Sequence, residues 1–99
     1  MSKITSKQRK FLRAKAHNLK PVVVIGAAGL TDNIHTEIDI ALEHHELIKV
    51  RINSANKESR QKLINVICSK SNGIAVQTIG HILVLYKKVK DAKILLPKD

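Results

Sequence analysis

Residues 21–34 read PVVVIGAAGLTDNI and join a β-branched run to a polar segment through two glycines. The run at 22–25 shows no alternation of apolar and polar residues, which is typical of a strand buried on both faces. Thr31 or Asp32 can cap a helix that follows. The stretch therefore predicts a strand, a corner at Gly26-Ala27-Ala28-Gly29 and a helix, which is the beginning of an α/β unit.

The glycine corner has two interpretations. A helix N-terminus presents unpaired backbone N–H groups and a partial positive charge, and glycines before it let a phosphate approach without an intervening Cβ. The spacing Gly26-x-x-Gly29 is close to the GxxG loop with which KH domains clamp a nucleic-acid backbone. Alternatively, both glycines only supply positive φ for a turn. The loop alone leaves both open, and Asp32 would compete with a phosphate for the N–H groups.

A first helix is predicted at 6–17. Thr5 and Gln8 have the spacing of a capping box, and Pro21 blocks an extension of the helix. At about 100° per residue, an apolar side and a basic side separate. The apolar side holds Ile4, Phe11 and Leu12, and the basic stripe holds Arg9, Lys10, Arg13 and His17.

A second helix is predicted directly after the corner. Its apolar residues recur at i, i+4, i+7 and i+8 and end near His45, and they are Ile34, Ile38, Ala41 and Leu42. Residues 47–52 then alternate, which predicts a strand with one dry face and one mostly basic face. The dry face holds Ile48, Val50 and Ile52, and the other face holds Leu47, Lys49 and Arg51.

One more helix and a hairpin are predicted in the remaining chain. After a loop at 53–56, Asn56 can cap a helix that Asn72-Gly73 stops. The apolar stripe of this helix is Leu63, Ile64, Ile67 and Cys68. Strands at 74–79 and 82–86 are joined by Gly80-His81, which suits a type II′ turn. The partly apolar tail at 90–99 could add an edge segment.

The predicted element order is α-β-α-β-α-β-β. Because parallel strands joined through helices cross over right-handedly, this order predicts a mixed four-stranded sheet with helices packed on it. We expect an α/β fold, more specifically an α+β two-layer architecture. The chain of 99 residues is expected to form one domain, spanning 1–99, with a single modest core.

The charge of the chain points to a phosphate-rich partner. It carries 18 Lys and Arg against 8 Asp and Glu, a net charge of +10. Residues 1–20 hold seven basic residues and no acid, whereas residues 21–48 hold five acids and no Lys or Arg. An acidic second helix would be repelled by nucleic acid and would orient the protein on it. Ordinary polarity of a solvated helix explains the same pattern.

Other function classes find less support in the sequence. The single cysteine, Cys68, cannot form an internal disulfide, and His44 and His45 point about 100° apart on a helix, so we expect no metal site. No nucleophile motif is present, and we expect no enzyme activity and no cofactor. Without an apolar leader or a run of ~20 apolar residues, the protein is expected to be cytoplasmic.

Three stretches together resemble a known family. They are LRAKAHNLKPVVVIGAAGLTDNI (12–34), ALEHHELIKVRI (41–52) and VQTIGHILVLYK (76–87). Together they resemble the YhbY-like family, single-domain bacterial members of the CRM (chloroplast RNA splicing and ribosome maturation) domain. The resemblance covers nearly the whole chain, from about Thr5 to Pro97.

The resemblance implies an RNA-binding domain, with a fold similar to the C-terminal domain of translation initiation factor three. It also implies association with precursors of the large ribosomal subunit. The family's loop commonly carries Lys, Arg or Asn between its glycines, whereas this chain has Ala27 and Ala28. Backbone N–H groups would therefore have to bind RNA in the loop, with cations supplied from elsewhere, such as Lys20 or the basic stripe.

The RNA-binding residues that we predict combine this loop with nearby cations: Gly26, Ala27, Ala28, Gly29, Thr31, Arg9, Lys10, Arg13, Lys20, Lys49 and Arg51. Because only Phe11 and Tyr86 are aromatic, binding should rely on backbone and shape. RNA binding in large-subunit assembly, by a monomer, is the favoured function. A protein-binding module working through the acidic helix is the alternative, and a small phosphoryl-handling enzyme is a third.

Overall fold

Within the part of the chain that the structure describes, three helices and four strands follow one another in the predicted order. The computed structural model describes residues 4–54, 56–90 and 92–98. The elements are α1 (Ser6–Ala16), β1 (Pro21–Ile25), α2 (Asp32–His45), β2 (Leu47–Ile52), α3 (Lys57–Ser71), β3 (Ile74–Ile79) and β4 (Ile82–Tyr86). Within these ranges, no helix combines the length and the apolarity of a membrane span.

Each helix begins at the cap that the sequence predicts. Thr5 Oγ1 accepts a hydrogen bond from the Gln8 N–H at 3.1 Å, and Gln8 Oε1 accepts one from the Thr5 N–H at 3.0 Å, which completes the capping box. Thr31 caps α2 and Asn56 caps α3. Helix α3 ends at Asn72, whose φ of 61° places it in the left-handed region. The helix bounds follow from these local contacts.

The four strands form one mixed sheet in the order β1-β2-β4-β3. Strands β1 and β2 are parallel, with Ile25 opposite Ile52, whereas β2 with β4 and β3 with β4 are antiparallel. The hairpin turn has φ +56° at Gly80, as a type II′ turn requires at its first central residue. The predicted α+β class and mixed four-stranded sheet are confirmed.

Helices cover both faces of this sheet, which corrects the predicted two-layer arrangement. Neighbouring residues of β2 point to opposite faces: Ile48 packs with Ile38 and Leu42 of α2, whereas Leu47 packs with Leu12 of α1. Two cores result, a larger one beneath α2 and α3 and a smaller one beneath α1. The alternation of β2 did not predict the second core, because Lys49 and Arg51 lie on the same face as Leu47 and that face was therefore expected to be polar.

Strand β1 is an edge strand, so the prediction that it is buried on both faces was wrong. Val23 and Ile25 are buried under α2, but Val22 and Val24 are 50% and 51% exposed. Helix α1 packs over β2, β3 and β4 and leaves β1 uncovered on that side. A short β-branched run is compatible with either environment, and only the strand order decides between them.

The tail at 92–98 forms no strand, so the expected edge segment is not present there. Its Ile94 and Leu96 pack on the smaller core instead, beside α1. Gln8 Nε2 donates a 3.0 Å hydrogen bond to the carbonyl of Pro97, and the Glu46 carboxylate accepts from the backbone N–H groups of Lys93 and Ile94. The apolar residues of the tail thus extend the core and not the sheet.

Candidate nucleic-acid interface

The GxxG loop forms a tight turn on the surface. The Gly29 N–H donates a 3.0 Å hydrogen bond to the carbonyl of Gly26, and Gly29 has φ +74°. Ala27 and Ala28 are exposed at the centre of the turn. Because the Gly29 N–H is already used, a ligand of this loop would have to contact the N–H groups of the two alanines.

The two glycines of the loop have different reasons to be glycine. Gly29 needs its positive φ, which is the turn-geometry interpretation. Gly26 does not have a positive φ, and a Cβ built on it would meet no atom within 4 Å. Neither conformation nor packing therefore requires glycine at this position. Because Gly26 has no side chain, a ligand can approach the backbone closely at this position.

The start of α2 lies directly behind this turn. Thr31 Oγ1 accepts a 3.2 Å hydrogen bond from the Ile34 N–H, while its own O–H remains able to donate to an acceptor. The exposed Asp32 lies in the first turn of the helix. Its carboxylate favours the helix N-terminus in the absence of a ligand and would oppose an anion there.

Three connections meet where β1 and β2 end. The Asn53 N–H donates to the Ile25 carbonyl at 3.0 Å, and the Ile52 N–H donates to the carbonyl of His81 in the hairpin turn at 2.7 Å. His81 Nδ1 also lies 2.9 Å from the Ile52 carbonyl. We call this region, residues 26–29, 53–54 and 80–81, the loop edge. It gathers loops that are far apart in the sequence.

Two arginines lie at the loop edge. Arg51 is exposed opposite Val24, and its Nε donates a 3.0 Å hydrogen bond to Asn53 Oδ1. Arg60 of α3 donates from a terminal nitrogen to the Ser54 carbonyl at 3.2 Å. Arg60 was not among the predicted RNA-binding residues. It lies one turn into the helix that follows β2, the strand parallel to β1.

The basic stripe of α1 is narrower than predicted. Lys10 and Arg13 are exposed, as expected. Arg9 is not part of the stripe, because its guanidinium donates hydrogen bonds to the carbonyls of Ala75 at 2.8 Å and Val76 at 2.7 Å in β3. Phe11, expected to pack, is 36% exposed. A helical wheel gives the angles between side chains around the helix axis, but it does not show on which side of the helix the sheet lies.

Lys20 and Lys49 lie away from the loop edge. Lys20 precedes β1, so the whole strand, about 15 Å, separates it from the GxxG loop. It therefore cannot supply the charge for a phosphate in that loop. Lys49 is half-buried, and its Nζ lies 3.4 Å from the carbonyl of His17 at the end of α1. The structure thus places Thr31 directly after the loop and Arg51 opposite Val24, two residues before the loop, and leaves the two lysines elsewhere.

The acidic α2 and the basic α1 lie on opposite faces of the sheet. Four acids of α2 are exposed, and they are Asp32, Glu37, Asp39 and Glu43. Helix α2 covers the opposite face of the sheet from α1 with its basic stripe. Glu46, the fifth acid of residues 21–48, is buried and binds the tail. A polyanion would therefore meet α1 and the exposed face of β1 more favourably than α2.

Residues 4–87 match the CRS1 / YhbY (CRM) domain. The chain belongs to the CRM domain family. The resemblance found in the three sequence stretches is thereby confirmed. All the candidate residues lie within the range that matches the CRM domain, whereas the tail at 92–98 lies beyond it.

Individual CRM relatives are similar over almost their whole length. A Haemophilus influenzae protein named RNA-binding protein is 49% identical over 98 residues, which are 99% of each chain. The Probable RNA-binding protein YqeI of Bacillus subtilis is 41% identical over 91% of this chain and 94% of its own. The solution structure of the hypothetical protein SAV1595 from Staphylococcus aureus superposes with a TM-score of 0.83 and 35% identity, over 96% of this chain and 100% of its own.

Cys68 and the histidine pair at the end of α2 lie outside the loop edge of this CRM domain. Burial raises the pKa of the half-buried Cys68 thiol, and a backbone hydrogen bond at Ala75 acts in the opposite direction. The rings of His44 and His45 lie 6.3 Å apart at 53°. Among the described residues, no three His, Cys, Asp or Glu side chains are grouped as metal ligands would be.

Proposed function

We propose that this CRM protein binds RNA, associates with ribosomal RNA in precursors of the large ribosomal subunit and assists their assembly. The observation that carries the proposal is Gly26, which has no positive φ and has open space at its Cβ position. It lies in an exposed turn in front of a capped helix, and Arg51 lies opposite Val24 on the neighbouring strand. The names of the relatives, which refer to RNA binding, support RNA as the partner.

The proposed contact is to the RNA backbone. A phosphate lies against the N–H groups of Ala27 and Ala28 and accepts from the Thr31 hydroxyl, while Arg51 supplies the positive charge. Lys10 and Arg13 bind further phosphates from the side of α1. Beyond its first turn, the acidic α2 faces away from the RNA and sets the orientation. The protein acts as a single cytoplasmic domain, as a monomer, by binding alone and without a catalytic step.

Crosslinking of the protein to RNA in cells, followed by sequencing, tests this proposal. We expect crosslinks clustered in large-subunit ribosomal RNA and a marked loss of them in Ala28→Asp, because a carboxylate in the turn repels phosphate. Ser69→Asp, on the exposed side of α3, changes the net charge equally and should keep the crosslinks. Diffuse crosslinks would contradict the ribosomal role, and equal losses in both variants would contradict the role of the loop.

The salt dependence of RNA binding provides a second measurement. If about five phosphates are engaged, log K should fall with log salt with a slope of roughly −4.5 on duplex RNA, and somewhat less on single strands. A slope near zero would contradict backbone binding.

One observation favours the alternative of a protein-binding module. Ile40 is 54% exposed on the acidic helix α2. If α2 is the working surface, Ile40→Asn should remove a protein partner from affinity-purified complexes and leave RNA crosslinks unchanged. Loss of RNA crosslinks in Ala28→Asp alone would instead favour the RNA-binding function.

A further inference from the structure

A cavity of about 360 Å³ lies at the end of β1 opposite the GxxG loop. We call it the distal cavity. Leu19, Val22 and Ile94 contribute apolar walls, and Lys15, Lys20 and His45 contribute the polar side chains. The proposed RNA contact at the loop edge does not use this cavity. Lys20, which was predicted to support the GxxG loop, lines the cavity instead.

The walls of the cavity are anchored by separate elements. The Leu19 N–H donates to the Ala16 carbonyl at 2.9 Å, which turns the chain out of α1. A shift in the β1–β2 register between Pro21 and Val23 releases Val22 from regular pairing. Ile94 is held by the hydrogen bond of 3.0 Å from its N–H to the carboxylate of Glu46. The cavity is therefore formed before a ligand arrives.

The chemistry of the cavity fits one part of a nucleic acid. Its apolar walls suit a flat ring with little charge, and its polar side chains are two lysines and a histidine, which suit phosphates beside that ring. Val24, half-exposed opposite Arg51 of β2, continues the apolar surface from Val22 at the cavity towards the GxxG loop. The length of β1, about 15 Å, is short enough for one strand of RNA to reach both ends.

We propose that the distal cavity binds an unpaired nucleobase of the RNA whose backbone the GxxG loop contacts, with Lys15 and Lys20 binding the adjacent phosphates. This inference rests on the proposed RNA-binding function and adds a preference to it. A base can enter the cavity only if it is not paired, so the protein should bind single-stranded RNA in preference to a duplex of the same sequence. Aliphatic side chains take the place that aromatic ones have in many single-strand binders.

The experiment measures the affinity of the 99-residue chain for a fluorescent oligouridine and for a fully paired RNA duplex at one salt concentration. Leu19→Asn makes a wall of the cavity polar at a position that is 39% exposed, so folding should tolerate it. Ile40→Asn is its control, since it changes an exposed apolar residue of α2. Lys20→Ala and Lys70→Ala form a second pair with equal changes of charge, and Lys70 lies exposed in the last turn of α3.

We expect Leu19→Asn to weaken oligouridine binding about five-fold, the lower end of what losing one base contact costs. We expect Lys20→Ala to weaken oligouridine binding more than Lys70→Ala does, because Lys20 contacts a phosphate next to that base. We expect Leu19→Asn to leave duplex binding unchanged. If both weaken oligouridine binding no more than their controls, or if Leu19→Asn weakens duplex binding equally, the base pocket is overturned while RNA binding stands. If the wild-type protein binds neither RNA, the base pocket and the proposed function fail together.

Discussion

The Gly29 N–H donates to the Gly26 carbonyl, yet only Gly29 has a positive φ, at +74°, and a Cβ on Gly26 would meet open space. We therefore expect Gly26→Ala to change the free energy of unfolding by less than about 0.5 kcal/mol and to lower RNA affinity, because the methyl group stands where a phosphate approaches. Gly29→Ala should cost about 1 kcal/mol of stability through its backbone conformation. Urea unfolding and fluorescence anisotropy with RNA check both. Wild-type affinity in Gly26→Ala would show that the ligand does not approach this residue.

Arg9 and Arg13 lie four residues apart on α1 but serve different purposes. Arg9 donates to two carbonyls of β3, at 2.8 and 2.7 Å, so Arg9→Ala should destabilise the protein by about 2 kcal/mol. Arg13→Ala should leave stability within about 0.5 kcal/mol, weaken RNA binding and reduce the salt slope by about 1. The two variants have the same net charge and control for each other. Equal loss of stability in both would contradict the separate roles.

Glu46 is buried and attaches the tail to the sheet. Its Oε1 accepts from the N–H groups of Lys93 and Ile94, so Glu46→Ala should lose about 3 kcal/mol of unfolding free energy, because two charge-assisted hydrogen bonds disappear. Faster trypsin cleavage after Lys93 should accompany this loss. Glu43→Ala, on the exposed surface of the same helix, is the control and should change neither quantity. An unchanged cleavage rate in Glu46→Ala would mean that other contacts hold the tail.

Stability should decline at alkaline pH through Tyr86. Burial, and secondarily the charge of Glu46, raises the pKa of Tyr86 in the folded protein above its ordinary value of 10.0. The unfolded state therefore loses its phenolic proton first, so stability is fully present below pH 10.0 and is lost as pH rises through the folded pKa. Urea unfolding of wild-type and Tyr86→Phe protein from about pH 8 to about pH 11 separates this effect from the lysines. Parallel profiles of the two proteins would contradict it.

The parts of the fold that were predictable depend on contacts between residues close in sequence. The capping box of Thr5 and Gln8, the stripe of α2 and the left-handed stop at Asn72 each act within a few residues, so the sequence contains them completely. The hairpin turn at Gly80 likewise depends only on residues that are close in sequence. The GxxG loop was found for this reason too, since a strand, two glycines and a helix cap are adjacent.

The errors concern residues whose neighbours come from distant parts of the chain. Arg9 meets β3 across 66 residues, and the tail meets Glu46 across 48. Val22 and Val24 are exposed because β1 lies at the edge of the sheet. A β-branched run has the same sequence pattern in an edge strand and in a central strand, so the pattern could not predict this exposure. Lys20 was predicted to lie near the loop, but the direction of β1 places it at the other end of the strand, whereas Arg60, in the helix that follows the parallel β2, lies at the loop edge.

By itself, the sequence determined the element order, the helix caps, the glycine corner and a strongly basic chain with an acidic middle, because these depend on local spacing and on composition. Only the tertiary structure decided which cations surround the corner, which acid is buried, and that β1 has an open apolar face ending in a cavity. These features arise where strand order and helix packing place distant residues side by side, and local spacing contains no information about that placement.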